Sequence, residues 1–213
     1  MRIVAFAPIR LNSKRVTKKN LRLLGNKPLM SYVLETLTQV QSIDDVYAYC
    51  SNREIQQYCP AGVQFLQRPA ELDGDEVLGE QIYSEFLKTI DADIYVLAHT
   101  TSPFIKVSTI QHALNKVIKD GYDSAFSAEK IQTFAWFEGK PLNYQLKHIP
   151  RTQTIEPVFI ETSAFYIFRK EVWTEQHQRI GNNPYISVID KIEGVDIDWP
   201  EDFNFAEHIL KQK

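Results

Sequence analysis

Short apolar runs alternate with segments of helical period along the first 120 residues of the chain. The runs are rich in β-branched and aromatic side chains, as expected of buried strands. They predict strands at Ile3–Ala7, Val46–Cys50, Val63–Leu66 and Ile94–Ala98. Between them, apolar residues recur at helical spacing and predict amphipathic helices at Met30–Val40, Leu78–Ile90 and Ile110–Ile118. This alternation predicts a three-layer, Rossmann-like α/β fold, with a mostly parallel sheet covered on both faces.

Beyond residue 122 the pattern changes, and strands are predicted at Asp123–Ala128, Phe134–Phe137 and Phe159–Arg169. Residues 139–157 are polar, proline-bounded and poorly periodic. We therefore predict an excursion from the sheet there, serving as a dimer arm or a substrate flap. The chain closes with a predicted strand at Gly194–Asp198 and a helix from Pro200, where Glu201 and Asp202 suit the positive end of the helix dipole.

Composition limits the class of protein. A length of 213 residues suits a single domain over 1–213, and a net charge of -3 predicts no binding to nucleic acid or to an anionic membrane. Cys50 and Cys59 fit a reducing compartment rather than a disulfide framework. No apolar stretch reaches the roughly 18 residues of a membrane span, and no signal peptide is recognisable. We expect a soluble, cytoplasmic protein.

The loop after the first predicted strand is strongly basic. It contains six cations and no acidic residue: Arg10, Lys14, Arg15, Lys18, Lys19 and Arg22. Ligands of parallel sheets bind at the carboxyl ends of the strands, where this loop begins. The loop has no glycine, so it matches neither the dinucleotide-binding nor the P-loop pattern. A phosphate site here must use side chains, above all arginines that bind phosphate oxygens bidentately. The alternative is a solvated basic turn.

The order of residues carries a family resemblance. The run PIRLNSKRVTKKNLRLLGNKPL is followed by QRPAELDGDEV, HTTSPFIK, PRTQ and GVDIDWPEDF. These five blocks, in this order and spanning nearly the whole chain, resemble the acylneuraminate cytidylyltransferases, the CMP-sialic acid synthetase family. Relatives of that family activate other nonulosonic acids and Kdo, 3-deoxy-manno-octulosonate.

The resemblance implies a fold, a reaction and a nucleotide site. The fold would be the nucleotide-diphospho-sugar transferase-like sheet, in a homodimer whose subunits lend an arm to each other's site. The reaction would move CMP from CTP to the anomeric hydroxyl of a 2-keto sugar acid and release pyrophosphate. By matching motif, the nucleotide would be held by Arg10, Ser13, Lys14, Arg15, Lys19, Asn20 and Arg68. Arg10, Lys14 and Lys19 would also stabilise the charge of the departing pyrophosphate. For Arg68, a strand-ending turn with Pro69 is the alternative.

The acceptor side departs from the family pattern. The resemblance implies acceptor contacts from His99, Thr101, Ser102, Arg151 and Glu161. Relatives commonly have glutamine at His99, asparagine-glycine or aspartate-glycine around Thr162–Ser163, and in some cases serine at Gly79. Thr101 and Ser102 alternatively suit a helix cap. A structural role is the alternative for His99, and a place in a strand entering the core is the alternative for Glu161. The identity of the sugar acid therefore stays open.

Asp196 and Asp198 suggest a magnesium site. The resemblance assigns this pair to Mg²⁺, and oxygen ligands are those that this ion prefers. Alternating residues of a regular strand point to opposite faces, so both carboxylates reach one ion only where the strand bends or ends. Asp198 as a cap of the helix from Pro200 is the alternative.

Two other functions remain open. One is the same chemistry on another acceptor, as in a CMP-Kdo synthetase or another sugar nucleotidyltransferase. The other is a catalytically silent, nucleotide-binding homologue, which the departures at Gly79, His99 and Thr162 favour. A hydrolytic triad is not supported, because no GxSxG nucleophile elbow occurs. The general base is not identified by the sequence.

Overall fold

The computed structural model describes residues 1–212 of the chain. Its strands are β1 (Ile3–Ile9), β2 (Leu23–Leu24), β3 (Lys27–Pro28), β4 (Asp45–Cys50), β5 (Val63–Gln67), β6 (Ile94–Ala98), β7 (Ser124–Ile131), β8 (Trp136–Phe137), β9 (Lys140–Pro141), β10 (Val158–Arg169) and β11 (Pro184–Val188). Its α-helices are α1 (Leu29–Thr38), α2 (Gly79–Thr89), α3 (Val107–Lys119), α4 (Lys170–Gln176) and α5 (Pro200–Lys211). None of them, within residues 1–212, has the length and apolarity to cross a bilayer.

The central sheet has seven strands in the order β11-β7-β10-β6-β1-β4-β5. Neighbours are parallel except at β10, which runs antiparallel to both β6 and β7. Helices α1 and α3 bury their apolar stripes on one face of the sheet. Helices α2 and α4 cover the other face with aromatic residues that include Phe86 and Trp173. The predicted three-layer, mostly parallel α/β fold is confirmed.

The antiparallel β10 shapes the working edge of the sheet. Phe165 of β10 pairs with Ala98, the last residue of β6, so the first half of β10 extends past the carboxyl end of β6. The pairing of β10 with β7 shifts register between Glu161 and Tyr166. Ser163, inside that bulge, has a φ of 59°, which is uncommon for a residue with a side chain. The bulge therefore turns a strained backbone toward the edge where β1 and β6 end.

One strand prediction was wrong and another was too long. Gly194–Asp198 forms no strand, because its backbone is bonded elsewhere: the Ile197 amide donates to the Thr101 carbonyl (2.8 Å), and the Asp198 amide donates to the Asp202 carboxylate (2.8 Å). Phe134–Phe137 contributes only the short β8. The sequence analysis also missed β11, which adds an edge strand beside β7, and α4. The helix from Pro200 is confirmed as α5.

An arm, residues 132–157, leaves the sheet between β7 and β10. The excursion thus begins seven residues earlier than the predicted 139–157. Strands β8 and β9 form a hairpin whose turn, Glu138 and Gly139, has positive φ at both positions, as tight hairpins require. Asn143 braces the base of the arm by hydrogen bonds to the carbonyls of Thr133 (2.8 Å) and Glu156 (2.7 Å). The arm is a folded segment with large exposed apolar side chains: Trp136, Phe137, Leu142, Leu146 and Ile149.

Candidate active site

Two adjoining cavities open at the carboxyl ends of β1 and β6, where ligands of such sheets bind. The larger has a volume of about 320 Å³ and extends toward Arg68 and α2. The smaller has a volume of about 190 Å³ and extends toward Lys19 and Thr101. Pro8, Arg10 and His99 line both. The basic loop and the end of β6 therefore face one shared cleft.

Asn20 fixes the basic loop to the end of β6. Its side chain is 5% exposed. The amide donates to the Arg10 carbonyl at 2.9 Å, and its oxygen accepts from the Thr100 hydroxyl at 2.6 Å. Ser13 lines the smaller cavity beside it. Asn20 thus anchors the loop to the end of β6.

Lys19 is the most enclosed cation of the loop among those in ion pairs, with 12% of its side chain exposed. Its Nζ donates to the Ile197 carbonyl at 2.8 Å and to Asp198 Oδ1 at 3.0 Å. Arg15 binds the second oxygen of Asp198 and stacks over Trp199, at 4.9 Å from the ring centre. Burial acts to raise the pKa of Asp198, but Lys19 and Arg15 outweigh it and lower that pKa. Asp198 is therefore a carboxylate near neutral pH.

Asp196 lies next to this pair, on a segment without regular structure. Burial raises its pKa, a hydrogen bond with Thr101 opposes that rise, and the nearby charge of Asp198 adds to it. In a regular strand the two carboxylates would point to opposite faces. Because this segment is not a strand, that restriction does not apply to Asp196 and Asp198. Asp202, rather than Asp198, caps α5, because its carboxylate accepts from the Asp198 and Trp199 amides. Neither Asp196 nor Asp198 acts as the cap of α5.

The donor set suits magnesium through substrate phosphates. Within residues 1–212 no group of three or more histidine, cysteine or acidic side chains is placed to hold a metal ion. Asp196 and Asp198 are two carboxylates that interact electrostatically beside a basic loop. Mg²⁺ commonly binds through one or two carboxylates and completes its shell with phosphates and water. The two aspartates therefore fit an ion that arrives with a triphosphate.

Arg68 lines the larger cavity from its far side. Its side chain is 2% exposed and pairs with Asp73 at 2.5 Å. The guanidinium lies 5.8 Å from the ring centre of Tyr49, and its Nε has no hydrogen-bond partner among residues 1–212. A buried guanidinium needs such an ion pair to offset its desolvation. Arg68 is therefore a rigid wall of the cleft that retains an unused donor.

His99 closes the boundary between the cavities. Its Nδ1 lies 2.5 Å from the carbonyl oxygen of Ser163, the strained residue of the β10 bulge. The ring also meets Tyr166 edge-on, with ring centres 6.2 Å apart. The structure thus brings His99, predicted from the β6 loop, together with the bulge of β10.

A second polar cluster borders the cleft next to His99. The hydroxyl of Tyr166 donates to Glu161 at 2.7 Å. Arg179 stacks on the Tyr166 ring, 3.8 Å from its centre, and donates to its hydroxyl at 3.0 Å. Arg179 also lies 3.7 Å from Glu161, which is an ion pair but too long for a hydrogen bond. Most of the five donors of Arg179 are therefore available to a ligand.

Tyr83 connects this cluster to a further cavity of about 430 Å³, which Gly79, Trp173 and Arg179 also line. The Tyr83 hydroxyl lies 3.5 Å from Arg179. A side chain at position 79 would come within 2.8 Å of that hydroxyl, so glycine makes room for it. The space beside Arg179 is thus shaped by Gly79.

The remaining predicted acceptor residues lie in different places. Thr101 lines the smaller cavity and neighbours Asp196. Ser102 is 1% exposed and lines neither cavity at the ends of β1 and β6. Neither caps α3, which begins at Val107. Arg151 lies exposed in the arm, and its side chain has no partner among residues 1–212.

The geometry of the cleft agrees with the family of proteins to which this chain is similar. A family model described as "Cytidylyltransferase" matches residues 4–213. The chain belongs to the cytidylyltransferase family.

Curated members of the family are distant in sequence. An N-acylneuraminate cytidylyltransferase of Oncorhynchus mykiss is 27% identical over 212 residues, covering 93% of this chain and 49% of that protein. N-acylneuraminate cytidylyltransferase A of Danio rerio is 26% identical over 211 residues, with shares of 93% and 49%. The chain spans about half the length of the curated relatives it matches.

The fold also matches a solved structure of CMP:2-keto-3-deoxy-manno-octonic acid synthetase complexed with CTP. The TM-score is 0.74 at 16% identity, over 100% of this chain and 99% of that chain. At this identity the likeness concerns the fold. It agrees with the nucleotide-diphospho-sugar transferase-like architecture expected of a cytidylyltransferase.

Sequence reasoning missed Arg179 and the role of Tyr166. Arg179 lies in a loop after α4, a helix that the periodicity did not indicate. No local pattern marks an isolated arginine before Ile180 and Gly181 as part of a site. The available signal was the excess of aromatic residues in β10, since exposed guanidinium groups commonly stack on such rings.

Proposed function

We propose that this cytidylyltransferase transfers CMP from CTP to the anomeric hydroxyl of an acylneuraminate-like nonulosonic acid and releases pyrophosphate. The observation that carries the proposal is that the cleft lined by a cationic loop, which is tied to Asp198, borders a polar cluster around Arg179. The first suits a triphosphate, and the second suits an acidic, hydroxylated acceptor. The names of the curated relatives support the same reaction. Cytoplasmic thiols stay reduced, which fits the free cysteines and a cytoplasmic location.

On the nucleotide side, Arg10, Ser13 and Lys19 face the cleft, and Asn20 holds their loop in place. Lys14 pairs with Asp75 at the surface, where its exposed ammonium is free to exchange that partner for a phosphate. Arg15 is likewise free to exchange its partner Asp198 for a phosphate. Arg68 bounds the space beyond Arg10. Positioning and charge stabilisation are the main protein contributions to phosphoryl transfer, so Arg10, Lys14 and Lys19 act on the departing pyrophosphate.

On the acceptor side, Arg179 is suited to bind the carboxylate of a 2-keto sugar acid, because a guanidinium binds carboxylates in a fork geometry. Glu161 and Thr101 are suited to bind hydroxyls. Ser102 supports the turn after β6 from within, through its backbone bond to the His99 carbonyl. These roles define an acceptor with one negative charge and several hydroxyls.

Asp196 and Asp198 would hold Mg²⁺, which supplies charge neutralisation at the phosphates when it is bound. We expect EDTA to lower the rate of pyrophosphate release by at least about 100-fold, and added Mg²⁺ to restore it, because such an ion contributes several kcal/mol. Calorimetry of CTP binding, with and without Mg²⁺, provides a second readout. Full activity, or unchanged CTP affinity, in the metal-free protein would contradict the assignment.

We also propose a homodimer in which the arm carries Arg151 to the partner's acceptor site. The support is an arm with exposed apolar side chains and an unpaired arginine. Such exposed apolar surface marks contact sites. We expect Lys19→Ala and Arg151→Ala each to be nearly inactive alone. Co-expressed at equal levels, they should recover about a quarter of wild-type activity, because half the dimers then contain one intact site. No recovery would mean that Arg151 acts within its own subunit, and an Arg151→Ala variant that is active alone would mean that Arg151 has no part in the site.

The decisive test of the function is pyrophosphate release from CTP and Mg²⁺ with a panel of acceptors. The panel contains several nonulosonic acids, Kdo, and a sugar phosphate. Turnover with a nonulosonic acid supports the proposal, and preferred turnover of Kdo or the phosphate assigns the alternative transferase. CTP binding without turnover on any acceptor would identify a catalytically silent homologue.

A further inference from the structure

The hydrogen bond of His99 fixes the position of its proton. The partner of Nδ1, at 2.5 Å, is the Ser163 carbonyl oxygen, which can only accept. Nδ1 must therefore carry a hydrogen. In a neutral imidazole this leaves Nε2 as an unprotonated acceptor.

Nε2 is turned away from Ser163 and has no hydrogen-bond partner among residues 1–212. The ring that carries it lines both cavities, together with Arg10 and Pro8. The ring therefore adjoins the basic loop, which lines both cavities through Arg10, and also meets the polar cluster at Tyr166. A lone pair on this ring is placed to reach a hydroxyl bound between the loop and the cluster.

The surroundings keep His99 neutral. Burial lowers its pKa, the Ser163 carbonyl opposes that effect, and the positive charge of Arg179 lowers the pKa further. The titratable and charged groups around the ring come from the β1 loop, the β5 loop, α2, β10 and the loop after α4: Arg10, Lys19, Arg68, Asp73, Tyr83, Glu161, Tyr166 and Arg179. Cations predominate in this group, which disfavours an imidazolium.

We propose that Nε2 of His99 is the general base of the transfer. This inference rests on the proposed function and names the group that the family resemblance leaves unassigned. Nε2 takes the proton of the acceptor's anomeric hydroxyl as that oxygen forms its bond to the α-phosphorus. The bond from the α-phosphorus to the bridging oxygen breaks, pyrophosphate leaves with that electron pair, and the imidazolium then returns its proton to solvent.

The bulge of β10 supplies the carbonyl that accepts a hydrogen bond from His99. Ser163 adopts a left-handed backbone conformation that costs about 1 kcal/mol or more for a residue with a side chain. That conformation places the carbonyl against His99.

The test compares wild type with His99→Gln and His99→Asn in pyrophosphate release across pH. Wild-type kcat should fall on acidification, with a midpoint below the ordinary histidine pKa of about 6.5. Both variants should lose about 10²- to 10⁴-fold in kcat, the usual share of a general base, and lose the acidic limb. Their CTP affinity and melting temperature should change little. His112→Gln, on α3 beside Tyr185, is the matched control and should keep the wild-type profile.

Nitrogen NMR of the wild-type imidazoles tests the geometry without any substitution. We expect the neutral Nδ1–H form for His99, and a neutral Nε2–H form would overturn the proposal. So would variants with wild-type kcat and the wild-type acidic limb. A wild type that turns over with unaffected variants refutes only the general base. A wild type inactive with every acceptor refutes the proposed function and the base with it.

Discussion

Replacing Lys19 by alanine is expected to lower kcat/KM for CTP by about 10²- to 10³-fold while the chain stays folded. Lys19 lies beside Asp198 and the Ile197 carbonyl, at the edge of the smaller cavity. A cation held in this way can stabilise negative charge on a triphosphate without first being reordered. The free energy of unfolding should change by no more than about 1 kcal/mol, because Asp198 is 42% exposed and retains Arg15.

The control for this substitution is Lys18→Ala. Lys18 is the adjacent cation in the chain, but its side chain is 60% exposed and pairs with Glu54 instead. Loss of a charge at that position should leave the kinetics close to wild type. Steady-state kinetics at saturating acceptor measure both variants. Equal losses in the two would show that overall charge, and not the placement of Lys19, matters.

Replacing Arg179 by alanine is expected to lower kcat/KM for the sugar acid by about 10²-fold or more, because removing one member of a hydrogen-bonded charge pair costs 2–5 kcal/mol. KM for CTP should stay unchanged. Arg179→Lys should restore only part of the loss, since lysine cannot stack on Tyr166 or bind a carboxylate with two parallel hydrogen bonds. Arg53→Ala, at an exposed position away from the cleft, is the control.

The assignment of Arg179 to the carboxylate has its own test. An acceptor whose carboxylate is replaced by a carboxamide should be a poor substrate of the wild type. With Arg179→Ala the kcat/KM of this carboxamide acceptor should fall little further, because the interaction between Arg179 and the carboxylate is already absent. Additive losses in this cycle would show that Arg179 acts elsewhere.

The first half of the fold was predictable because local and tertiary preferences coincide there. Strands β1, β4 and β6 are buried along almost their whole length, so their sequences are nearly uninterrupted apolar runs. The strand prediction at Gly194–Asp198 was wrong because the alternation of polar and apolar residues there has another cause. Ile197 packs against Leu24 and Phe203 in a small separate core, while its neighbours face the basic loop. Periodicity cannot distinguish this from a half-buried strand.

The basic loop was visible in the sequence and the cluster around Arg179 was not, for a related reason. The basic loop is contiguous in sequence, so its six cations are visible as a cluster. The acceptor cluster joins α2, β10 and the loop after α4, and Tyr83 and Arg179 are 96 residues apart. The hydrogen bond that defines His99 also depends on a bulge, which no local pattern indicates.

The ion pairs of the loop change what an incoming nucleotide meets. Four of the six cations already have acidic partners, namely Lys14 with Asp75, Arg15 and Lys19 with Asp198, and Lys18 with Glu54. Without ligand, three carboxylates thus offset half of the six positive charges of the loop. Free CTP would compete with Asp198 for Arg15 and Lys19 and leave that carboxylate facing its phosphates. A metal-chelated nucleotide instead brings a dication for Asp198 and phosphate oxygens for Arg15 and Lys19, so that none of these three charges is left without a partner.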